Sequence, residues 1–451
     1  MRILRIAAEP ALARAGGERL AWAWRTVLTG LGYGWRETPA GEECDLAYGA
    51  GQAAGAGAVA LPGSPDNWGP DGPPGGSGDI LAEVFAAAAG LSERGLPRNR
   101  HGHLRCDDPA LRTALAEPPV MARLAELERR LGERFGPGVP RWPAGRGAAW
   151  CLTHDVDYPE AVRWIEPARI VARNGPSAIG EAVAMAAGRR SHWQFDAWMA
   201  REEAAGIRSS FHFCARRGSL VRYATGTPDP FYDVRSPRFR RLFAELAGRG
   251  FEIALHASYR AMEDEGNFAR EKGLLEEAAG RPVAGVRHHY WRLDPRDPEA
   301  TLAVHGRLGF AYDASLAHER YLGWRRGLSW PFFPFDRRTG RSVPTLQLST
   351  AWTEDHFFGH RRDNPGDPDT VLDRLADRAA RDGGCLVLNA HDYVLDDRIF
   401  PGRASLALRL AARLAARGDF WNQTPAEVAR HWTARARRIA EASDGFAEAA
   451  A

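Results

Sequence analysis

Lysine is almost absent from this 451-residue sequence: Lys272 is the only one, and arginine carries nearly all of the positive charge. The 60 basic side chains are balanced by 57 acidic ones, and the net charge of +3 gives no general case for binding nucleic acid. The five cysteines are scattered and form no C-x-x-C pair. This spacing argues against a disulfide framework and against a cysteine-ligated zinc site, and it fits a reducing compartment.

Long apolar runs are also missing. No stretch of about 18 apolar residues occurs, which predicts that the chain has no membrane span. The N-terminus lacks the apolar run of a secretory signal, so we expect a cytoplasmic protein. A hydrophobic content of 44% with 26% charged residues is typical of a globular protein. Nothing in the composition indicates the oligomeric state.

A Gly- and Pro-rich segment at residues 136–143 divides the sequence, because it ends a predicted amphipathic helix over residues 118–134. The part before this helix shows short apolar runs and helical spacing typical of a small α/β unit. We therefore predict four regions: a small α/β domain over 1–115, a helix and Pro/Gly-rich linker over 116–147, a barrel over 148–435 and a C-terminal tail over 436–451.

Strand-like and helix-like segments alternate from residue 148 onward. Strands that alternate with helices imply a parallel sheet, and about seven such units predict a distorted (β/α)7-type barrel. The candidate strands are 148–152, 209–214, 252–255, 283–286, 310–311, 346–348 and 386–389.

Reactive polar side chains directly follow four of these apolar runs. In barrels of parallel strands, the chemistry gathers at the carboxyl ends of the strands, so these side chains are expected to meet at one site. The four segments are His154-Asp155-Val156-Asp157, His256, Arg287-His288-His289-Tyr290 and His391-Asp392.

Asp155 and Asp157 are two residues apart, so an extended chain directs both toward the same side. Two carboxylates this close cannot both stay ionised in a dry pocket unless a cation or a proton separates their roles. One is therefore expected to bind a metal, with His256 as a second ligand, and the other to act as a base. In isolation, a D-x-D pair is more often an Asp-rich turn that caps the next helix, and only its place after a buried strand, beside three other strand ends that carry histidine, favours the metal and base roles. Arg287 could orient the base, and His391 could protonate a leaving group.

Taken together, these segments resemble the polysaccharide deacetylase family, defined by the NodB homology domain, over about residues 148–395. The resemblance implies a metal-dependent hydrolase of N-acetyl or related C–N bonds on sugars. It also implies a divalent metal, with Zn²⁺ expected before Co²⁺ or Ni²⁺. The matches are Asp155 as base, Asp157 and His256 as metal ligands, Arg287 to Tyr290 as the R-x-P-Y motif whose arginine orients the base, and His391 as catalytic acid.

The sequence departs from the family pattern at two positions. Arg260 occupies the place of the second metal-binding histidine, and an arginine has no lone pair to give. His289 replaces the proline of R-x-P-Y. A subset of the family resembles this chain in both respects, with L-H-x-S-Y and R-x-H-Y runs. We therefore expect His289 to be the third metal ligand, with His154 and His288 as alternatives.

Three further residues are candidates for substrate binding. Tyr290 belongs to the R-x-H-Y run. Trp330 lies in an aromatic segment that could stack on a sugar or could cover the barrel as an apolar lid. Asp313 follows a short strand, where it could contact substrate or cap a helix.

The expected reaction is N-deacetylation of an acetylated amino sugar or a glycan precursor, and the expected partner is a carbohydrate or a small-molecule amide. Three alternatives stay open at this point. The barrel could be degenerate and bind a glycan or nucleotide-sugar without turnover, or it could hydrolyse a non-sugar C–N bond. The N-terminal region could instead be the functional part, with the barrel as its support.

Overall fold

The computed structural model describes residues 1–49, 57–105, 108–160, 162–225, 229–358 and 366–443. Over these residues the chain forms two parallel sheets with helices packed around them. None of the helices described there is long and apolar enough to cross a lipid bilayer.

The N-terminal region is a small α/β unit, as the sequence predicts. Its four strands are β1 (Ile3–Ala8), β2 (Gly34–Glu37), β3 (Leu46–Tyr48) and β4 (Val59–Leu61). They form one sheet in the order β2-β1-β3-β4, and every pairing is parallel. The helices up to the linker are α1 (Pro10–Gly16), α2 (Glu18–Leu31), α3 (Ile80–Ala88), α4 (Pro109–Ala116) and α5 (Pro119–Phe135).

The second sheet contains nine strands in the described residues, and all of its pairings are parallel. Its strands are β5 (Ala148–Val156), β6 (Ser210–Phe213), β7 (Glu252–Ala257), β8 (Gly285–His288), β9 (Tyr312–Asp313), β12 (Leu346–Gln347), β13 (Thr350–Thr353), β14 (Cys385–His391) and β15 (Phe420–Asn422), while β10 (Phe335–Asp336) and β11 (Arg341–Ser342) form a separate hairpin. The order is β12-β9-β8-β7-β6-β5-β14-β13, and β15 pairs with the start of β5.

The helices of this region lie along the chain between these strands. They are α6 (Glu166–Asn174), α7 (Ile179–Ala186), α8 (Phe195–Ala204), α9 (Leu220–Thr225), α10 (Pro237–Gly248), α11 (Glu265–Ala279), α12 (Pro298–Arg307), α13 (Pro368–Asp382), α14 (Arg403–Ala416) and α15 (Pro425–Glu441).

The large sheet curls until its two edges meet. The edge strands β12 and β13 are separated by only two residues of chain. Thr350 of β13 donates its backbone N–H to the carbonyl of Leu316 and its hydroxyl to the carbonyl of Ala314, both at 2.9 Å. The predicted distorted barrel is therefore confirmed. The predicted strand at 310–311 lies directly before the observed β9. Strands β10, β11, β13 and β15 were not among the predicted strands.

Strand alternation decides which side chains enter the barrel. On β6, Phe211 and Phe213 point outward and pack with Phe195 and Phe239 in the core beneath the helices. Their neighbours on β6 therefore point inward. The same alternation on β5 sends Asp155 into the barrel.

The N-terminal region and the barrel share one hydrophobic core. Buried side chains from the small sheet form a single cluster with Cys151, Trp330 and Trp432 of the barrel region. The cluster fills the amino end of the barrel, so the carboxyl ends of its strands are left to form a site.

Helix α15 runs through the predicted boundary at residue 435. Ile439 is buried, and the Ser443 hydroxyl accepts the backbone N–H of Trp35 at 3.0 Å. Residues 436–443 thus pack on the N-terminal sheet, and the rest of the predicted tail lies outside the described residues.

Candidate active site

The carboxyl ends of β5, β7, β8 and β14 bring six of the predicted residues together. The strand register places His391 beside Asp155 and Arg287 beside His256. The six side chains are at least partly buried at one end of the barrel, and they are Asp155, Asp157, His256, Arg287, His289 and His391.

Asp155 is held between a cation and an amide. Its Oδ1 accepts from Arg287 Nη1 at 2.9 Å, and its Oδ2 accepts from Asn389 Nδ2 at 2.8 Å. Burial alone would raise the pKa of Asp155, but the charge of Arg287 outweighs it and holds the pKa well below the ordinary value. Asp155 is therefore ionised at neutral pH, and its orientation is fixed.

Arg287 is fully buried and crosses the barrel interior. Because its bonds reach several strands, the guanidinium is rigid and cannot swing away from Asp155. Its acceptors are Asp155 Oδ1, Thr153 Oγ1, Asn389 Oδ1, Thr350 Oγ1 and the carbonyl of Ala314, at 2.8 to 3.2 Å.

Asp157 faces two imidazoles. Its Oδ1 lies 3.5 Å from Nε2 of His256 and 3.5 Å from Nε2 of His289. Burial would raise the pKa of Asp157, but the charge of His289 and the contact with His256 hold it far below its usual range. The three groups form a compact carboxylate–imidazole cluster.

The orientation of His256 suits a metal ligand. Its Nδ1 donates to the carbonyl of Arg287 at 2.9 Å, which leaves the lone pair of Nε2 directed at Asp157. A bond of this kind, from the other ring nitrogen to a carbonyl, is the usual arrangement in metal-ligating histidines.

The unsatisfied atoms of the cluster also fit a cation. Asp157 Oδ1 and His289 Nδ1 are buried and have no hydrogen-bond partner among the described residues. Cys214, at the end of β6, offers a sulfur within 4.8 Å of a ring nitrogen of both His256 and His289. One carboxylate and two imidazoles are a donor set that zinc accepts, so Asp157, His256 and His289 could hold the metal.

Arg260 itself does not enter the cluster. Its side chain is 63% exposed and lies 3.8 Å from Glu263. The two alternative ligands also point away from the site. His154 bonds Glu202 at 2.6 Å outside the barrel, and His288 bonds His305 at 2.9 Å.

Glu354 is a residue of the site that was not predicted from the sequence. Its carboxylate is fully buried and accepts from His391 Nδ1 at 2.6 Å. Burial would lower the pKa of His391, but the charge of Glu354 raises it well above the usual value. His391 Nε2 in turn lies 3.7 Å from Asp157 Oδ2. Glu354 directly follows strand β13, so the strand-end pattern could have found it.

The three predicted substrate-binding residues differ in position. Tyr290 is partly exposed and follows His289, beside the cluster. Asp313 is buried and its Oδ1 accepts from the hydroxyl of Ser315 at 2.5 Å, so it neither faces the site nor caps a helix.

Trp330 lies in the shared core, with its ring against Gly30 and Arg141, and its Nε1 donates to the carbonyl of Asp382. The structure brings neither Trp330 nor Asp313 to the site.

No protein-family model and no curated protein matches this sequence. Among solved structures, the chain is similar to a protein named as a polysaccharide deacetylase from Mycobacterium smegmatis, with 19% identity and a TM-score of 0.40 over 65% of this chain and 93% of that one. It is similar to the Puue allantoinase, with 15% identity and a TM-score of 0.44 over 67% and 96%. It is also similar to a protein named as a polysaccharide deacetylase from Pseudomonas aeruginosa PAO1, with 15% identity and a TM-score of 0.41 over 67% of this chain and 96% of that one. At these values the likeness carries no argument about activity.

Proposed function

We propose that the protein is a metal-dependent hydrolase of non-peptide C–N bonds, and that it removes the acetyl group from an acetylated amino sugar or a glycan precursor. The observation that supports this most directly is the placement of the Asp157, His256 and His289 cluster beside the rigid pair of Asp155 and Arg287. A donor set and an oriented base lie next to each other, as hydrolysis of an amide requires.

The metal, probed first as Zn²⁺, would be held by Asp157, His256 and His289. When bound, it supplies Lewis-acid activation of water and stabilises negative charge on the amide oxygen.

Asp155 acts as the general base. It is ionised because Arg287 lowers its pKa, and the bonds from Arg287 and Asn389 fix its direction. Asp155 takes the proton from water as the oxygen attacks the amide carbon. Arg287 itself only positions the base.

His391 acts as the general acid. The charge of Glu354 keeps the imidazolium protonated at neutral pH, so a proton is available when the amide C–N bond breaks. The nitrogen of the amino sugar receives this proton and leaves as the amine, while the acyl group leaves as acetate. One water is consumed. Exchange with solvent then removes the proton from Asp155 and returns a proton to His391.

The test combines bound zinc with acetate release for the wild type, Asp157→Ala, His289→Ala and the matched control His288→Ala. We expect the first two variants to lose both metal and activity, while the control, whose ring lies outside the barrel, keeps both. Full zinc occupancy and activity in His289→Ala would disprove the assignment of His289.

The substrate class needs its own panel. Free and nucleotide-linked N-acetylated sugars are compared with cyclic ureides and formamides. For each compound, hydrolysis is measured by the amount of product released. Turnover confined to ureides or formamides would move the proposal to a non-sugar substrate. A purified protein that binds no zinc at micromolar concentration would instead favour a barrel that binds a glycan without turnover.

A further inference from the structure

Residues 97–105 of the N-terminal region form a closed hairpin, called here the 97–105 hairpin. Its two arms pair once, and Asn99 closes the tip. The Asn99 Oδ1 accepts the backbone N–H groups of His101 and His103 at 2.8 and 3.1 Å. The tip is therefore fixed by its own side chain, and the two imidazoles project from a defined backbone.

The His103 ring joins this hairpin to the barrel. Its Nε2 donates to the backbone carbonyl of Tyr290. Its Nδ1 lies 2.9 Å from Glu319 Oε2, which also accepts from Asn99 Nδ2 at 2.7 Å. Because both ring nitrogens face oxygen atoms and the ring is buried, its orientation is fixed.

The carbonyl that His103 holds belongs to a strained turn. Tyr290 and Trp291 both have left-handed backbone angles, with φ of 58° and 48°. Non-glycine residues rarely adopt this conformation, and it persists only where the surroundings hold it in place. The turn directly follows His289, so its shape sets the direction in which His289 faces Asp157.

His101 forms an aromatic wall with two tyrosines of the barrel. Its ring centroid is 4.8 Å from that of Tyr290 and 5.7 Å from that of Tyr259, and its Nδ1 lies 2.8 Å from the Tyr259 hydroxyl. Tyr290 follows His289 by one residue, and Tyr259 follows His256 by three. All three rings of the wall are partly exposed.

We propose that the 97–105 hairpin is a part of the active site. His103 is a positioning residue that holds the turn carrying His289, and His101 helps to build a wall against which the flat face of the substrate ring packs. The N-terminal region then contributes to substrate binding, although the ligands and the acid–base groups come from the barrel. The proposal about His101 rests on the proposed hydrolysis, whereas the role of His103 does not.

The experiment for His103 measures metal affinity rather than turnover. Co²⁺ is titrated into metal-free full-length protein, and the visible spectrum reports the coordination of the ion. We expect His103→Ala to weaken Co²⁺ binding about tenfold, as the loss of a group that orients a metal ligand typically does. His103→Gln, which can still donate to the Tyr290 carbonyl, should recover most of the affinity and the spectrum.

His431→Ala is the matched control, because His431 also bonds a backbone carbonyl, that of Arg141 at 2.8 Å, far from the site. Its Co²⁺ affinity should equal that of the wild type. Equal affinities for His103→Ala and the wild type would overturn the positioning role. Weaker Co²⁺ binding in His103→Ala, with unchanged binding in His431→Ala, would support that role even if the protein hydrolyses none of the substrates tested.

The experiment for His101 separates KM from kcat on the best substrate of the panel. Loss of one stacked ring should raise KM roughly threefold to tenfold in His101→Ala with little change in kcat, because the contact is made equally in the bound substrate and in the transition state. His101→Phe should restore KM. If KM is unchanged in His101→Ala, or if no panel compound binds the wild type, the wall assignment is wrong.

Discussion

Replacing Glu354 by glutamine should move the alkaline limb of the pH–rate profile to lower pH. The Glu354 carboxylate is fully buried and accepts from His391 Nδ1 at 2.6 Å, and its charge outweighs the burial that would otherwise lower the pKa of His391. Glutamine keeps an oxygen for the same bond but removes the charge. The ring of His391 therefore keeps its direction, while its proton is held less firmly.

The size of this displacement follows from the electrostatics of the pair. Two unit charges about 4 Å apart interact by about 4 kcal/mol at an effective dielectric constant of about 20. Since about 1.4 kcal/mol corresponds to a change of one in pH, the alkaline limb can move by at most about 3 on the pH scale. The neutral amide retains part of the interaction, so we expect the limb to move by about 1 to 2 on that scale.

The assay follows kcat between about pH 5 and about pH 9, a range that brackets the usual histidine pKa. As a general acid, His391 supports the reaction below its pKa and fails as the pH rises through it. The Glu354→Gln variant should match the wild type near the acid end. On the alkaline limb its kcat should fall about tenfold below the wild-type value if the limb moves by about 1, and about a hundredfold if it moves by about 2. A metal bound at Asp157 lowers the pKa of His391 in both proteins alike, so the difference between them survives.

Asp355→Asn is the comparison variant, because Asp355 pairs with Arg403 at 2.6 Å and its charge raises the pKa of His391 less than that of Glu354 does. Its alkaline limb should move less than that of Glu354→Gln. An unchanged limb in Glu354→Gln would refute the assignment of His391 as the acid.

The same ion pair also stabilises the fold. Because the folded pKa of His391 is raised, this contribution is complete below the unfolded pKa and is lost as the pH rises through the folded value. Urea denaturation should therefore show a larger loss for Glu354→Gln at about pH 6 than at about pH 9. Equal losses at the two pH values would contradict an ionic contribution from the pair.

Further outcomes follow from the same geometry. Asp157→Asn removes the charge that faces both imidazoles, so zinc analysis of the purified protein should find little metal. His289→Ala should lose zinc while His288→Ala retains it, and equal occupancy would contradict the ligand assignment. Arg287→Met leaves the carboxylate of Asp155 buried and unpaired, and the free energy of unfolding should fall by about 3–5 kcal/mol. In urea denaturation, the double variant Arg287→Met with Asp155→Asn should be more stable than Arg287→Met alone. If the two substitutions acted independently, the second would recover none of the lost free energy of unfolding.

Much of the site could be predicted because it follows one simple rule. Asp155, His256, Arg287 and His391 each follow or end a buried apolar run, and parallel strands deliver their carboxyl ends to one place. An apolar run is visible in the local sequence, and the meeting of parallel strand ends does not depend on contacts between distant residues. The residues at the strand ends could therefore be predicted from the sequence alone.

Glu354 obeys the same rule but was missed, because only two residues and no helix separate its strand, β13, from β12. An alternating pattern of strand and helix therefore hides the strand at which the barrel edges meet.

The aromatic segment shows a different limit. The sequence places Trp330 in a segment rich in aromatic residues that could be exposed. Whether its ring is buried depends on which distant parts of the chain pack against it. In the structure, Gly30 of helix α2 and Arg141 of the linker cover the ring. Nothing local to residue 330 predicts these contacts, since both partners are distant in the sequence and only tertiary packing brings them to the ring.

The shared core has a consequence for how the protein unfolds. The cluster that contains Cys151 and Trp432 continues into the N-terminal sheet, and Arg435 donates to the carbonyls of Thr29 and Val139 at the same junction. Opening either part would expose the apolar face of the other. We expect one cooperative transition instead of two, and a barrel expressed without its N-terminal region would present indole and aliphatic surface to solvent. Removing that region would therefore change the solubility of the chain as well as one wall of its site.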